Sequence, residues 1–304
     1  MVDAVMIMKT ADRLVLEKNA DVGFTLIELF VVIATVAVLA ALLLPALAGT
    51  RPNTQSFQCL ENQRQLILAW QMYAQDNNDI LPPNDFPWTA VAPRDGSVKN
   101  WVFGTEYLPL DAINTAILVN PQLTLLALYN TNPATYKCPA DISTIQGHPR
   151  TRSVSMNSAV GTIWYSASTT LPAGGPVGGG WLGPGISYIG GMNPTYRTYG
   201  KITQMTKPRP SMTWIIMDEN PATINDATMY ISMAQILVDY PGKYHNCAAG
   251  ISFADGHTEM HRWVDAFAQN PLPFATGGPA FYPPVPPVPC LDLAWLQPRT
   301  SALR

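Results

Sequence analysis

His245 is followed after nine residues by Asp255 and Gly256, then by His257, Glu259 and His261. Few residue types in the chain are better suited to chemistry, and their spacing can be weighed directly. Asp255-Gly256 lies between two β-prone runs, residues 251–253 and 257–263, and predicts a hairpin with an Asp-Gly turn. Asp255 would then cap backbone amides, Gly256 would take a positive φ, and His245 would hydrogen-bond across to the turn. His257, Glu259 and His261 alternate, so on a strand they share a face, as a zinc site requires, with His245, Asp255, Asp218 or Glu219 as neighbours. The order is HxExH and not HExxH, so no zincin-type catalytic helix follows. Asp218, Glu219 and Asp255 offer loop oxygens suited to calcium. Such groupings also arise by chance on exposed strands, so the expectation is no metal and no other cofactor.

The four cysteines, Cys59, Cys138, Cys247 and Cys290, are widely spaced and form no CxxC pair. That argues against a structural zinc site or a thioredoxin-like centre. In an exported chain they could supply one or two disulfides, with the pairing open. Cys247 beside His245 is a Cys/His pair only in sequence, which says nothing about geometry. GxSxG, Walker and strand-preceded GxGxxG patterns are missing, so no catalytic residue and no enzyme is expected. Trp88, Trp101, Trp164, Trp181 and Trp214 could form a sugar-binding surface, though buried aromatics are the commoner explanation.

The elements that position these residues follow from composition and pattern. The 304 residues are 47% hydrophobic and only 13% charged, and the net charge of −3 gives no footprint for nucleic acid. From Phe24 to Ala48 the chain is apolar with one charge, Glu28. About 25 such residues span roughly 37 Å, enough for a membrane helix. An acid inside such a run is costly and needs a positive partner, and Pro45 should kink or loosen the helix. Leu60, Ile67, Trp70 and Ala74, with Leu66 and Tyr73 beside them, then mark an amphipathic helix over about 55–77. Asp76-Asn77-Asn78-Asp79 and Pro82-Pro83 end it. Beyond lie short strand-prone runs at 98–103, 152–156, 162–165, 213–217, 230–233, 250–253 and 257–263, and a short helix near 115–129. Residues 171–185 read as an exposed glycine-rich loop, and 271–298 as an extended or poorly ordered Pro/Gly-rich arm.

Gly23-Phe24-Thr25-Leu26-Ile27-Glu28-Leu29, with Pro45 downstream, resembles the processing motif of type IV prepilins and type II secretion pseudopilins. His245 through Asp255-Gly256 is similar to the prepilin-type processing-associated H-X9-DG family. So are Cys59 through Asp79, Lys137-Cys138-Pro139-Ala140-Asp141, residues 152–157 and Met217-Asp218-Glu219. The resemblance implies cleavage after Gly23 by a prepilin peptidase, N-methylation of Phe24, and Glu28 neutralising a neighbouring subunit's new amine. The expected fold is α+β, a long N-terminal helix (membrane and assembly segment plus amphipathic half) packed on an antiparallel β-rich pilin-like head with long loops. Its parts would be a leader at 1–23, an assembly helix at 24–48, its amphipathic continuation at 49–80, a head at 81–270 and a tail at 271–304. The expected function is a structural pilin or pseudopilin subunit, with a minor pilin whose head binds a surface, glycan or secreted substrate as the alternative and an anchored exported enzyme ranked behind both. Expected partners are the peptidase, other pilin-like subunits, the inner-membrane assembly platform and, before assembly, membrane lipid, with no nucleic acid. The expected location is single-pass in the inner membrane with an exported head, then a periplasmic or cell-surface filament.

Overall fold

The computed structural model describes residues 25–84, 93–164, 172–180, 182–183, 192–234, 238–265 and 290–304, without the side chains of 40–53. It divides into two compact units, Met1–Thr50 and Arg51–Arg304. Helix α1 is Leu26–Asp76. Within the second unit its residues carry a stripe of Cys59, Gln63, Leu66, Ile67, Trp70, Tyr73 and Ala74, all buried. That spacing of threes and fours keeps one side of a helix against its neighbour. The helix ends where the sequence predicts. Asn78 and Asp79 turn left-handed at φ 55° and 67°, and the Asp79 amide bonds back to the Ala74 carbonyl.

Five strands form the sheet on which α1 packs. They are β3 (Val154–Asn157), β4 (Trp214–Asp218), β5 (Thr228–Met229), β6 (Ala248–Phe253) and β7 (Thr258–Arg262), in the order β5-β3-β4-β6-β7. A separate two-stranded ribbon pairs β1 (Thr144–Ile145) with β2 (His148–Pro149). One face of the sheet presents Val154, Met156 and Ile216 to a core shared with Leu66, Ile67, Trp70, Trp101 and Tyr136. Its other face presents Met217, Ala249, Ile251 and Phe253 to Leu293 and Leu296. These last two belong to a C-terminal helix, Leu291–Thr300, which follows the short helices α2 (Pro109–Ala112) and α3 (Thr115–Leu118) and is named α4 here. The second unit is thus a helix–sheet–helix sandwich, the usual way for a sheet to bury both faces.

Several expectations are corrected. The head is not antiparallel: β5 runs parallel to β3, with Met156 opposite Thr228, so the sheet is mixed. A single long helix packed on the head gives way to the division after Thr50, and only residues of α1 beyond it belong to the head. Among the described residues no helix is long and apolar enough to cross a membrane. The apolar stretch described with its side chains, residues 26–39, covers roughly 21 Å against the ~30 Å of a hydrocarbon core. The transmembrane segment, the contact with lipid and the inner-membrane location expected from 24–48 are therefore withdrawn.

Other departures are local. Residues 98–103 form no strand beyond a bridge from Asn100 to Thr124, though Trp101, Val102 and Phe103 are buried as core. The helix near 115–129 breaks into α3 and a 3-10 turn, Leu125–Leu128. The glycine-rich loop is partly internal, with Val177 and Leu182 buried. Of the arm, residues 271–289 lie outside the described residues, while 290–298 and the end of the chain include α4, which fills the second core. Leu293 and Leu296, three apart, supplied the helical signal that the flanking prolines masked.

Candidate metal centre

The site is built on α1. Ser56, Cys59 and Gln63 fall at i, i+3 and i+7, so all three look toward β6. Close approach is allowed by Gly250 at the middle of that strand. A Cβ there would lie 2.8 Å from Cys59 Sγ and 3.2 Å from Asp218 Oδ2. Gln63 Nε2 donates to the Gly250 carbonyl at 3.2 Å, fastening the helix to the strand.

Three further segments bring ligand-type side chains to this point. Cys138 follows a 3-10 turn, Pro133–Tyr136, and its amide donates to Ser153 Oγ at 2.7 Å. Asp218 is the last residue of β4, and its Oδ2 accepts from the Gly250 amide at 2.8 Å and from Cys59 Sγ at 3.1 Å. His245 lies in the turn before β6, where Asn246 and Cys247 adopt left-handed φ of 54° and 62°. That turn directs the imidazole inward: Nε2 is 3.0 Å from Cys138 Sγ and Nδ1 is 3.1 Å from Ser56 Oγ. One ligand atom from each of Cys59, Cys138, Asp218 and His245 lies within 4.8 Å of the others. The first three are buried and the imidazole is partly so. Among the described residues no other group of three or more His, Cys, Asp or Glu converges in this way.

The electrostatics fit an enclosed site. The Cys59 thiol is pushed up by its hydrogen bond with Cys138 and by burial. Asp218 is raised to about 6 by burial, against the opposing bonds from Cys59 and Gly250. Partial burial lowers His245. Each shift favours the uncharged form, and a divalent cation among these groups would reverse them. Asp218 Oδ1 is buried with no hydrogen-bond partner.

Most residues singled out from sequence lie elsewhere. Gly23 and Phe24 are outside the described residues, as is the side chain of Pro45. Glu28 sits in the first turn of α1, where its Oε2 accepts from the Thr25 amide at 2.8 Å and from Thr25 Oγ1 at 2.6 Å, and its own amide donates to Thr25 Oγ1 at 3.3 Å. This is a reciprocal capping box, and those bonds hold its carboxyl below the usual carboxylate range. The hairpin forms as expected: Gly256 has φ +96° and Asp255 Oδ1 accepts from the His257 amide. His245 does not reach that turn; it belongs to the cysteine cluster instead. His257, Glu259 and His261 do not converge, since His257 stacks on Phe253 at 4.3 Å and His261 on Trp295 at 3.7 Å. Nor do Asp218, Glu219 and Asp255, because Asp218 and Asp255 lie toward opposite ends of β4. No cysteine is in a disulfide. Trp101 and Trp214 are core, Trp164 is half-exposed, and Trp88 and Trp181 are outside the described residues.

A second buried polar group flanks the sheet. Arg152 is fully buried, with NH1 on the Val154 carbonyl, NH2 on the Asp226 carbonyl and Nε 3.5 Å from Glu106. Burial raises Glu106 to about 7, though Arg152 and Arg150 oppose the shift. It also raises Asp226 to about 6.

Compared with protein-family models, curated proteins and solved structures, the chain matches none. Its function has to be read from its own residues.

Proposed function

We propose that the chain is a structural subunit of a filament of the type IV pilus or type II secretion kind, cut after Gly23 and methylated at Phe24 by a prepilin peptidase, with other pilin-like subunits as partners. The supporting observation is the character of residues 26–39. Leu26, Ile27, Phe30, Ile33, Val36 and Leu39 are each more than half exposed, and at 100° per residue they spread round the helix. A helix apolar on every side is stable only when something covers it. The head, by contrast, closes both faces of its sheet with its own helices. Equivalent helices of other copies are the cover that also satisfies Glu28. Each processed copy brings a cationic terminus next to a carboxylate, and two such charges pair at low cost where either alone would be expensive.

Glu28 has a competing local role as the capping-box acid, and one substitution separates the two. Glu28→Gln keeps the bond to the Thr25 amide, since glutamine serves at that position, but removes the charge. Filament incorporation, read by pelleting and electron microscopy of native material, is expected to fall to background in Glu28→Gln as in Glu28→Ala. Normal incorporation of Glu28→Gln would reduce the acid to a cap and remove the charge-pairing argument. Recovery of the native chain with residues 1–23 attached, as single copies, would overturn the filament reading.

A further inference from the structure

We infer that Cys59, Cys138, Asp218 and His245 form a structural zinc centre that ties α1 to the sheet and to two loops of the head. This is independent of whether the chain assembles into filaments. Two thiolates, an imidazole and a carboxylate are a donor set suited to zinc, and four protein ligands with no open position are the pattern of structural sites. Zinc–ligand bonds of ~2.0–2.3 Å place tetrahedral ligand atoms roughly 3.3–3.8 Å apart. The distances present, 3.0 Å for Cys138 to His245 and 3.1 Å for Cys59 to Asp218, with all four inside 4.8 Å, require shifts well under the length of a bond.

Three features around the ligands point the same way. Ser56 Oγ lies on His245 Nδ1, so a proton held there leaves the Nε2 lone pair facing the cysteines, as a ligating histidine requires. The Gly250 amide orients Asp218 from behind. Asp218 Oδ1, fully buried, has no hydrogen-bond partner, and a cation bound to the same carboxylate offsets the cost of holding its charge away from water. Binding would release two protons to solvent, one from each thiol, and leave a site of net charge −1.

The main competitor is a Cys59–Cys138 disulfide. It would satisfy the sulfurs but leave the orphaned Asp218 oxygen and the inward His245 without a purpose. The two are separable on the full chain. Metal analysis of protein purified with zinc present is expected to give about one zinc per chain. Replacement by cobalt should give the intense visible bands of a tetrahedral ion and thiolate charge-transfer bands, and chelation should lower Tm. Cys138→Ser and His245→Ala should lose the metal, each weakening affinity by more than the ~10–100-fold that an outer partner costs. Ser56→Ala, which removes the hydroxyl beside His245 Nδ1, should fall within that range. The cobalt spectrum of the unmutated chain needs no variant to fold. The inference is overturned by four freely titrating thiols with no bound metal, by two thiols missing until reductant is added with no metal, or by zinc retained in both ligand variants.

Discussion

The buried carboxyl of Glu106 offers the most quantitative test of the head. It is fully buried beside Arg152, and its proton is held up to about 7 where an exposed glutamate releases it near 4.5. As pH rises through 4.5 the unfolded chain gives up this proton while the folded chain keeps it. The folded state then binds more protons than the unfolded, and stability falls with pH until the folded carboxyl also ionises near 7. At ~1.4 kcal/mol for each pH unit between the two values, the loss is about 3 kcal/mol. Little solvent screening discounts it, because the side chain is only 3% exposed. Glu106→Gln substitutes a neutral side chain of the same shape, close to the protonated acid in both size and charge. Parent and variant should therefore differ by under about 1 kcal/mol at pH 5, and the variant should draw ahead as pH rises, by about 3 kcal/mol at pH 8. Urea unfolding followed by tryptophan fluorescence at pH 5, 6, 7 and 8 measures the difference, and every other titrating group, being common to both chains, cancels. A difference that stays flat over this range would refute the reasoning. So would a variant that loses ground at high pH, which would mean that the ion pair with Arg152 outweighs the cost of burying the charge.

Other outcomes follow from particular contacts. Gly250→Ala puts a methyl 2.8 Å from Cys59 Sγ and 3.2 Å from Asp218 Oδ2, both buried, and should cost about 1–3 kcal/mol in chemical denaturation. Leu293→Ala opens a cavity under α4 at a fully buried position and should cost about 2–5 kcal/mol. An unchanged denaturation midpoint would show that the C-terminal segment lies outside the cooperative unit. His261, stacked on Trp295 and facing Arg299, should titrate near 4 by NMR, since burial first and then the guanidinium oppose its charging. A midpoint near 6.5 would mean the stack opens in solution.

Much of the head could be read without coordinates. The stripe of Leu66, Ile67, Trp70, Tyr73 and Ala74, the Asn-Asp stop and the Asp-Gly hairpin are local patterns, fixed by periods of 3.6 and 2 and by residues that tolerate positive φ. The strands at 152–156, 213–217 and 250–253 were legible for the same reason, to within a few residues. The parallel pairing of β5 with β3 was not, because a two-residue strand carries no period to detect. Nor was α4, where Pro298 within the helix and the proline-rich approach obscured a buried pair of leucines.

The cysteine cluster marks the boundary most sharply. Absence of a CxxC pair argued against a metal site, yet four ligand-type side chains converge from four separate segments. Cys59 and Asp218 are 159 residues apart, and Cys138 and His245 are 107 apart. Spacing arguments detect ligands supplied by one turn or one helix, and are blind to ligands gathered by a fold. Residue pattern was enough to show that a helix with one apolar face would meet a β-rich body, and that a second, wholly apolar stretch bearing one acid would precede it. The direction of His245 came from the fold, because a turn of two left-handed residues aims it and a glycine without a side chain sets how near the helix may come.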